Sequence, residues 1–151
     1  MKSGVLNPSF STQGLAVNIM TTEAWKTLLT KENLATIFPK DRSNKFFEAL
    51  FGDADEGSYD IELAYRESKE NNLTMELRLH ERPNRCLACN LTQGLPQVFS
   101  RHPIINIQGI VNDIENLLGT SYRCTSWSLG YTEQPKRSLH VIPLKIVVEK
   151  K

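Results

Sequence analysis

Residues 59–80 read YDIELAYRESKENNLTMELRLH, and this segment constrains the architecture more tightly than any other part of the chain. Every second side chain is apolar from Tyr59 to Tyr65, and again from Leu73 to Leu79. Alternation with a period of two is typical of β-strands that have one buried and one solvated face. The polar residues between the two runs suit a connecting turn. We therefore predict a β-hairpin.

Charged residues on the solvated face of this hairpin indicate how its two strands align. Pairing Glu62 with Arg78 also pairs Asp60 with His80, and both cross-strand pairs are then attractive. A shift of two residues would place Glu62 opposite Glu76, where two carboxylates repel each other. We predict the first alignment.

A second clear pattern predicts an amphipathic helix over residues 107–118. Asn106 suits the N-cap of this helix, and Gly119 suits the position after its last residue. Gly109 lies inside the helix, where we expect it to let the helix approach the sheet closely. The apolar residues, spaced 3, 1, 3, 3 and 1 apart, are Ile107, Ile110, Val111, Ile114, Leu117 and Leu118.

Two further helices are predicted before the hairpin. The first runs from Thr22 to Phe38 and ends at Pro39, and the second follows Ser43 and ends at Gly52. Their aromatic residues have the spacing of core residues, although they could also line a cofactor or peptide pocket or form a partner surface. These residues are Trp25, Phe38, Phe46, Phe47 and Phe51.

Three more strands complete the predicted sheet. The third strand contains Cys89, and a long loop follows it at residues 92–103. The last two strands cover residues 122–129 and 139–148. Because Pro143 cannot donate a hydrogen bond to a neighbouring strand, we place the last strand at an edge of the sheet or give it a bulge.

The predicted fold is α+β, with an antiparallel sheet of about five strands and with helices packed on one of its faces. The elements follow the order α-α-β-β-β-α-β-β. Residues 21–151 form a single domain. Residues 1–20 mix Gly, Ser, Asn and Pro with scattered apolar positions, so we expect an irregular or weakly ordered leader there.

The composition is that of an ordinary globular protein. Of the 151 residues, 40% are hydrophobic and 23% are charged, which is too apolar for a disordered chain. The net charge of +1 argues against a nonspecific grip on nucleic acid or on an anionic membrane. No apolar run resembles a membrane span or a signal peptide, so we expect a cytoplasmic protein.

Cys86 and Cys89 form a C-x-x-C pair, and Cys124 is the third cysteine. The pair could bind zinc together with Cys124, His80 or His102, or it could act in redox chemistry. In a strand, however, residues three apart point to opposite faces, which favours structural roles for both cysteines. We therefore predict no metal site and no cofactor, with the cysteines as weak metal candidates.

The best candidate for a ligand site is a basic rim at residues 80–85 and 93–106, beside the start of the helix at 107–118. Cationic side chains and exposed helix N–H groups attract a small anion. The alternative is a rim of solvated charges with no ligand. The rim residues are His80, Arg82, Arg85, Arg101, His102 and Asn106.

No catalytic signature stands out. The sequence lacks the G-x-x-x-x-G-K-[ST] and G-x-G-x-x-G phosphate loops, an H-E-x-x-H zinc motif and a nucleophile elbow. A Cys–His pair from Cys86 or Cys124 with His102 or His140 stays open. We therefore favour a protein that is not an enzyme.

The predicted order of elements over residues 22–148, helix–three strands–helix–two strands, is similar to that of small bacterial secretion-chaperone domains. The resemblance implies a dimer that binds an unfolded segment of a client along its sheet and helices. The chain departs from that family in lacking a helix after the last two strands. Its near-neutral charge also differs from the acidic character of such chaperones.

We accordingly expect a non-catalytic module that binds a protein partner or self-associates, with the edge strand at 139–148 open to β-augmentation. The first alternative is binding, or enzymatic conversion, of a small molecule or anion at the basic rim. RNA binding through the sheet is least favoured, because Tyr59 and Tyr65 share a face with the apolar Ile61 and Leu63.

Overall fold

The computed structural model describes residues 24–87 and 92–151. The helices are α1 (residues 24–28), α2 (Lys31–Ile37), α3 (Asp41–Phe51), α4 (Leu95–Arg101) and α5 (Ile107–Leu118), with 3₁₀ turns at Ala54–Glu56 and Thr92–Gly94. The strands are β1 (Tyr59–Lys69), β2 (Asn72–Glu81), β3 (Tyr122–Leu129), β4 (Glu133–Lys136) and β5 (Leu139–Lys150). None of the helices in these two ranges is long and apolar enough to cross a bilayer.

The strands form one antiparallel sheet in the order β1-β2-β5-β3, and β4 also pairs with β5. The predicted α+β class and five-stranded antiparallel sheet are thus confirmed. β1 lies at one edge of the sheet, and β5 lies in the middle. The predicted leader at residues 1–20 is outside the described residues.

The core lies between one face of the sheet and the helices. Leu63, Leu77 and Ile142 are cross-strand neighbours on β1, β2 and β5, and all three are buried. Helices α2 and α3 pack near β1, while α5 packs near β3. The opposite face of the hairpin carries the charged residues, as the alternation predicts.

The hairpin has the register that the charges predict. Glu62 lies opposite Arg78, and Asp60 lies opposite His80. The shifted alignment, in which Glu62 would face Glu76, does not form. Both strands extend beyond the alternating runs and meet at a tight turn between Lys69 and Asn72.

Helix α5 begins and ends where its apolar spacing predicts. Asn106 is the N-cap, and its side-chain oxygen accepts a hydrogen bond from the Gly109 N–H at 3.1 Å. The expected role of Gly109 in close packing against the sheet is wrong. A Cβ atom at this position would lie 2.3 Å from Asn106 Nδ2, so the glycine makes room for the capping side chain.

Between β2 and α5 the chain differs from the prediction. Residues 82–87 turn without forming a strand, residues 88–91 are outside the described part, and α4 occupies most of the predicted 92–103 loop. Pro96 suggested a loop, yet proline is compatible with the first turn of a helix, where N–H groups have no intrahelical partner. The fifth strand is β4, so the order helix–three strands–helix–two strands is not reproduced.

Pro143 lies in the middle of the sheet, so the predicted edge position is wrong. The pairing of β5 with β2 passes Pro143 without a register shift, so the alternative of a bulge is not seen there. The Pro143 carbonyl accepts a hydrogen bond from the Gly130 N–H at 2.8 Å, on the side of β3 and β4. The N and O atoms of a strand residue point to the same side of the strand. The nitrogen of Pro143, which has no hydrogen to donate, therefore faces the gap between Leu129 and Glu133. β5 therefore has neighbours on both sides, and the predicted β-augmentation at 139–148 is wrong.

The first predicted helix is interrupted at residues 29–30. Thr30 caps α2, because its Oγ1 accepts a hydrogen bond from the Asn33 N–H at 3.2 Å. Helix α3 starts earlier than predicted, so Ser43 is a buried residue inside the helix. It ends at Gly52 in the left-handed conformation, as predicted.

The aromatic residues of these helices belong mostly to the core, as expected. Trp25, Phe38, Phe46 and Phe47 are buried. Phe51 is the exception, since it is 58% exposed and stacks on the ring of Phe47. The core interpretation of this set therefore holds for four of its five members.

Candidate functional site

The outer edge of β1 carries main-chain groups that face away from β2. The Ile61 N–H points away from β2, because it donates to Ser43 Oγ at 2.8 Å. In an antiparallel pair, successive residues direct their main-chain groups alternately toward the partner strand and away from it. Leu63 and Tyr65 therefore also direct their N–H and C=O groups outward. Among the described residues, nothing bonds to these groups.

Two features limit the open stretch of β1. At one end, Ser43 occupies the Ile61 N–H. At the other end, a β-bulge falls between Tyr65 and Glu67. Bulges at sheet edges disturb the ladder and bend the strand, which discourages further pairing. Between these two points, the outward main-chain groups without a partner among the described residues are those of Leu63 and Tyr65.

A groove of about 480 Å³ lies between this edge and α2. Ala35 and Phe38 line it on the helix side, and Ile61 and Leu63 line it on the strand side. An open strand beside a helix is an arrangement that accepts an extended peptide. The polar residues around the groove are Lys31, Lys40, Asp60, Glu62 and His80.

Among the described residues, the acidic groups around the groove are paired, whereas its lysines are not. His80 Nε2 lies 2.8 Å from Glu62 Oε1, and Arg82 donates to Asp60 Oδ1 at 3.0 Å. Neither groove lysine has a carboxylate within 4 Å in the described part of the chain. The unpaired charge at the groove is therefore positive.

The predicted basic rim divides into two groups. Arg82 donates to Asp60 and to the carbonyl of Ala54, and Arg85 donates to the carbonyl of Asp55. These bonds attach both guanidinium groups to the turn before β1. Few of their donors remain free for an anion. His80, as described above, is directed to the groove.

The second group of rim residues lies at the junction of α4 and α5. His102 Nδ1 accepts a hydrogen bond from the Ile104 N–H at 3.2 Å, and its ring packs at 4.9 Å from the ring of Phe46. Arg101 is exposed, and Asn106 uses its side-chain oxygen to cap α5. No hydrogen bond or ion pair between described residues joins this group to Arg82. A single anion site at the rim stays a prediction.

The cysteines do not form a metal centre in the part of the chain that the structure describes. Cys86 is disulfide-bonded, Cys124 is a free, half-buried thiol, and Cys89 is outside the described residues. Burial raises the pKa of the Cys124 thiol to about 11, and the nearby Glu115 adds to the rise. No three His, Cys, Asp or Glu side chains of that part are grouped as metal ligands would be.

A second cavity, of about 670 Å³, lies beside the connection between β3 and β4. Tyr131 is 90% exposed there, and Arg66 and Lys145 are its cationic residues. Arg66 is bonded to both Glu76 and Glu133, which neutralise its charge. Lys145 is then the one unpaired cation of the described lining, so this cavity offers less for recognition than the β1 groove.

A buried polar pair escaped sequence prediction. His140 is 1% exposed, and its Nδ1 lies 2.8 Å from Thr92 Oγ1. The Thr132 hydroxyl donates to the Thr92 carbonyl at 2.7 Å. Burial lowers the pKa of His140, and the nearby Glu81 opposes this effect. Because these groups satisfy one another inside the core, we assign them a structural role that joins the start of α4 to β5.

The residues of the β1 groove carry no sequence motif. Lys31, Ala35 and Lys40 have the character of ordinary surface positions on a helix and a turn. The alternation of β1 is the same for an edge strand as for a central one. No local signal in the sequence therefore pointed to this groove.

Comparison of the chain with protein-family models, with curated proteins and with solved structures gives no match. Function has to be inferred from the geometry of the chain itself.

Proposed function

We propose that this domain binds an extended segment of a partner protein, which pairs with β1 as an additional strand. The observation that supports this most strongly is that the outward main-chain groups of Leu63 and Tyr65 have no partner among the described residues and lie beside a groove. An added strand supplies N–H and C=O groups opposite these residues, in the binding mode known as β-augmentation. A partner strand would therefore complete the hydrogen bonding of this edge.

Side chains of the bound segment would add selectivity to these main-chain bonds. Alternate residues of a strand point to the same face of a sheet. Residues that continue the inner face would contact Ala35 and Phe38, so we expect apolar side chains at those positions. Residues that continue the outer face would lie beside Glu62, next to solvent.

The open stretch of β1 is short, so the complex has few ladder hydrogen bonds. Each such bond contributes about 0.5–1.5 kcal/mol net. We therefore expect reversible binding in which the groove lining supplies a large share of the affinity. Such binding fits an adaptor or client-binding role better than a permanent assembly.

The alternatives have less support in the geometry. β5 is flanked on both sides by other strands. The guanidinium groups of Arg82 and Arg85 are bonded to the protein itself. Tyr59 is buried, which removes one of the aromatic side chains that an RNA-binding sheet would expose. Edge binding at β1, in place of the edge first expected at 139–148, is therefore the preferred hypothesis.

Nuclear magnetic resonance with the full chain tests the proposal. The probe is a pool of peptides of about eight residues with apolar side chains at alternate positions, which matches the strand period. We expect amide shifts concentrated at Leu63 and Tyr65, together with slower hydrogen exchange of both amides in the complex. If no peptide of the pool binds, or if binding leaves both amides unchanged, the proposal is wrong.

Two variants on α2 provide a matched comparison. Ala35 and Thr36 are both exposed, but only Ala35 lines the groove. Ala35→Trp fills the groove and should weaken peptide binding by about tenfold or more, which corresponds to about 1.4 kcal/mol. Thr36→Trp should leave binding unchanged. Equal affinities of the two variants would place the peptide elsewhere.

A further inference from the structure

We propose that the segment bound along β1 is acidic, with carboxylates that pair with Lys31 and Lys40. This inference rests on the proposed function and specifies the chemistry of the partner. It follows from the charges at the groove. The two lysines lack ion pairs among the described residues, whereas Asp60 and Glu62 each have a cationic neighbour.

The acidic side chains of the groove do not cancel this preference. Glu62 lies 2.8 Å from His80 and 4.0 Å from Arg78, and Asp60 lies 3.0 Å from Arg82. A basic segment would have to compete with these existing contacts. An acidic segment would meet lysines whose ammonium groups have no ion-pair or hydrogen-bond partner among the described residues, so its pairing would disrupt none of the contacts described there.

The positions of the lysines indicate a spacing for the carboxylates. Lys31 is the first residue of α2, and Lys40 follows the end of the helix. A helix of seven residues is about 10 Å long. In an extended strand, residues on one face are about 6.6 Å apart for each step of two. Because the lysines lie at the two ends of α2, their carboxylate partners belong to the inner face of the segment, the face that also contacts Ala35 and Phe38. We expect two Asp or Glu residues four positions apart on that face, with an apolar residue midway between them.

Exposed ion pairs discriminate between partners more than they tighten binding. Each lysine is expected to contribute a factor of about two to five in affinity, because it stays in contact with water. The preference for acidic segments should therefore decline as the salt concentration rises. The main-chain bonds to Leu63 and Tyr65 should not show this salt dependence.

Two peptide pools test the inference on the full chain. Both have an apolar residue at the centre of the inner face. The positions two residues before and two residues after it are Asp or Glu in one pool and Lys or Arg in the other, and all other positions are Ser. We expect the acidic pool to bind about tenfold more tightly at low salt. The double variant Lys31→Glu/Lys40→Glu should lose or reverse that preference.

Lys136→Glu combined with Lys150→Glu is the matched control. It changes the net charge by the same amount at exposed positions on β4 and β5, away from β1. We expect it to keep the preference for the acidic pool. If it loses the preference to the same extent as Lys31→Glu/Lys40→Glu, net charge and not the groove selects the partner, and the inference is wrong.

The remaining outcomes separate this inference from the proposed function. Equal binding of both pools, still weakened by Ala35→Trp, overturns the acidic preference and leaves edge binding intact. Failure of either pool to bind overturns edge binding itself. A concentration-dependent dimer in light scattering, abolished by Ala35→Trp, would identify a second copy of this chain as the occupant and overturn the acidic partner.

Discussion

Ser43 is the residue that determines where the open edge of β1 begins. Its hydroxyl comes from α3 and accepts the Ile61 N–H at 2.8 Å, in a fully buried position. A helix residue thereby replaces a neighbouring strand at that point of the edge. The next outward-facing main-chain groups, those of Leu63, have no such replacement among the described residues.

We predict that Ser43→Ala lowers the free energy of unfolding by about 1–3 kcal/mol, because the buried Ile61 N–H loses its acceptor. Urea denaturation measures the change. Ser100→Ala is the control, since the Ser100 hydroxyl bonds a carbonyl at an exposed position and its loss should cost less than about 0.5 kcal/mol. Equal effects of the two substitutions would contradict this role for Ser43.

His140 should make the stability depend on pH. Its pKa in the folded protein is lowered, chiefly by burial, from about 6.5 in the unfolded chain. As the pH falls below about 6.5, the unfolded chain takes up a proton that the native state resists. The free energy of unfolding should then fall by up to about 1.4 kcal/mol per pH unit until the folded pKa is reached.

Urea denaturation between pH 7.5 and pH 5.5, which bracket the reference value of about 6.5, checks this expectation. His140→Gln removes the titrating group and keeps a polar side chain, so the loss of stability over this range should shrink. His80→Gln, which changes an exposed histidine, is the control, and this variant should keep most of the loss of stability over the same pH range. An unchanged pH dependence in His140→Gln would show that another group is responsible.

At the scale of elements, the start of helix α5 depends on one residue. Asn106 caps α5 and has a left-handed backbone with φ of 49°. Asn106→Ala loses the cap and strains the backbone, so we expect a cost of about 1–3 kcal/mol. Asn106→Gly relieves the strain and should cost less. Thermal unfolding of the two variants compares them, and an equal or greater loss in the glycine variant would contradict this view.

The same scale shows which elements could be predicted from the sequence. The hairpin and α5 were predictable because their apolar periods are regular and local. Helix α4 was missed, since its seven residues are too few for a period and Pro96 is typical of a loop. The position of β5 was predicted wrongly. Pro143 is tolerated in the middle of the sheet because its nitrogen, which has no hydrogen to donate, faces the gap between β3 and β4. No local sequence pattern reveals that gap.

At the scale of the whole molecule, the identity of the edge strand could not be predicted. It depends on β5 pairing with β2, whose partner residues are 59 to 75 positions apart in the sequence, and an alternating pattern does not encode that choice. The candidate site follows from that topology. His80 was the one predicted rim residue that lies at the β1 groove, whereas Lys31, Lys40 and the main chain of Leu63 emerged only in the folded chain.

Residue-resolved hydrogen exchange of the unliganded full chain tests most directly whether β1 presents an open edge. Along this one strand, the Glu62 and Ala64 amides point to β2, while those of Leu63 and Tyr65 point outward. We predict that the outward amides exchange at least about 100-fold faster than the inward ones, because only the inward ones need the sheet to open. Comparable slow exchange at all four amides would mean that the edge is already covered, and would contradict the account.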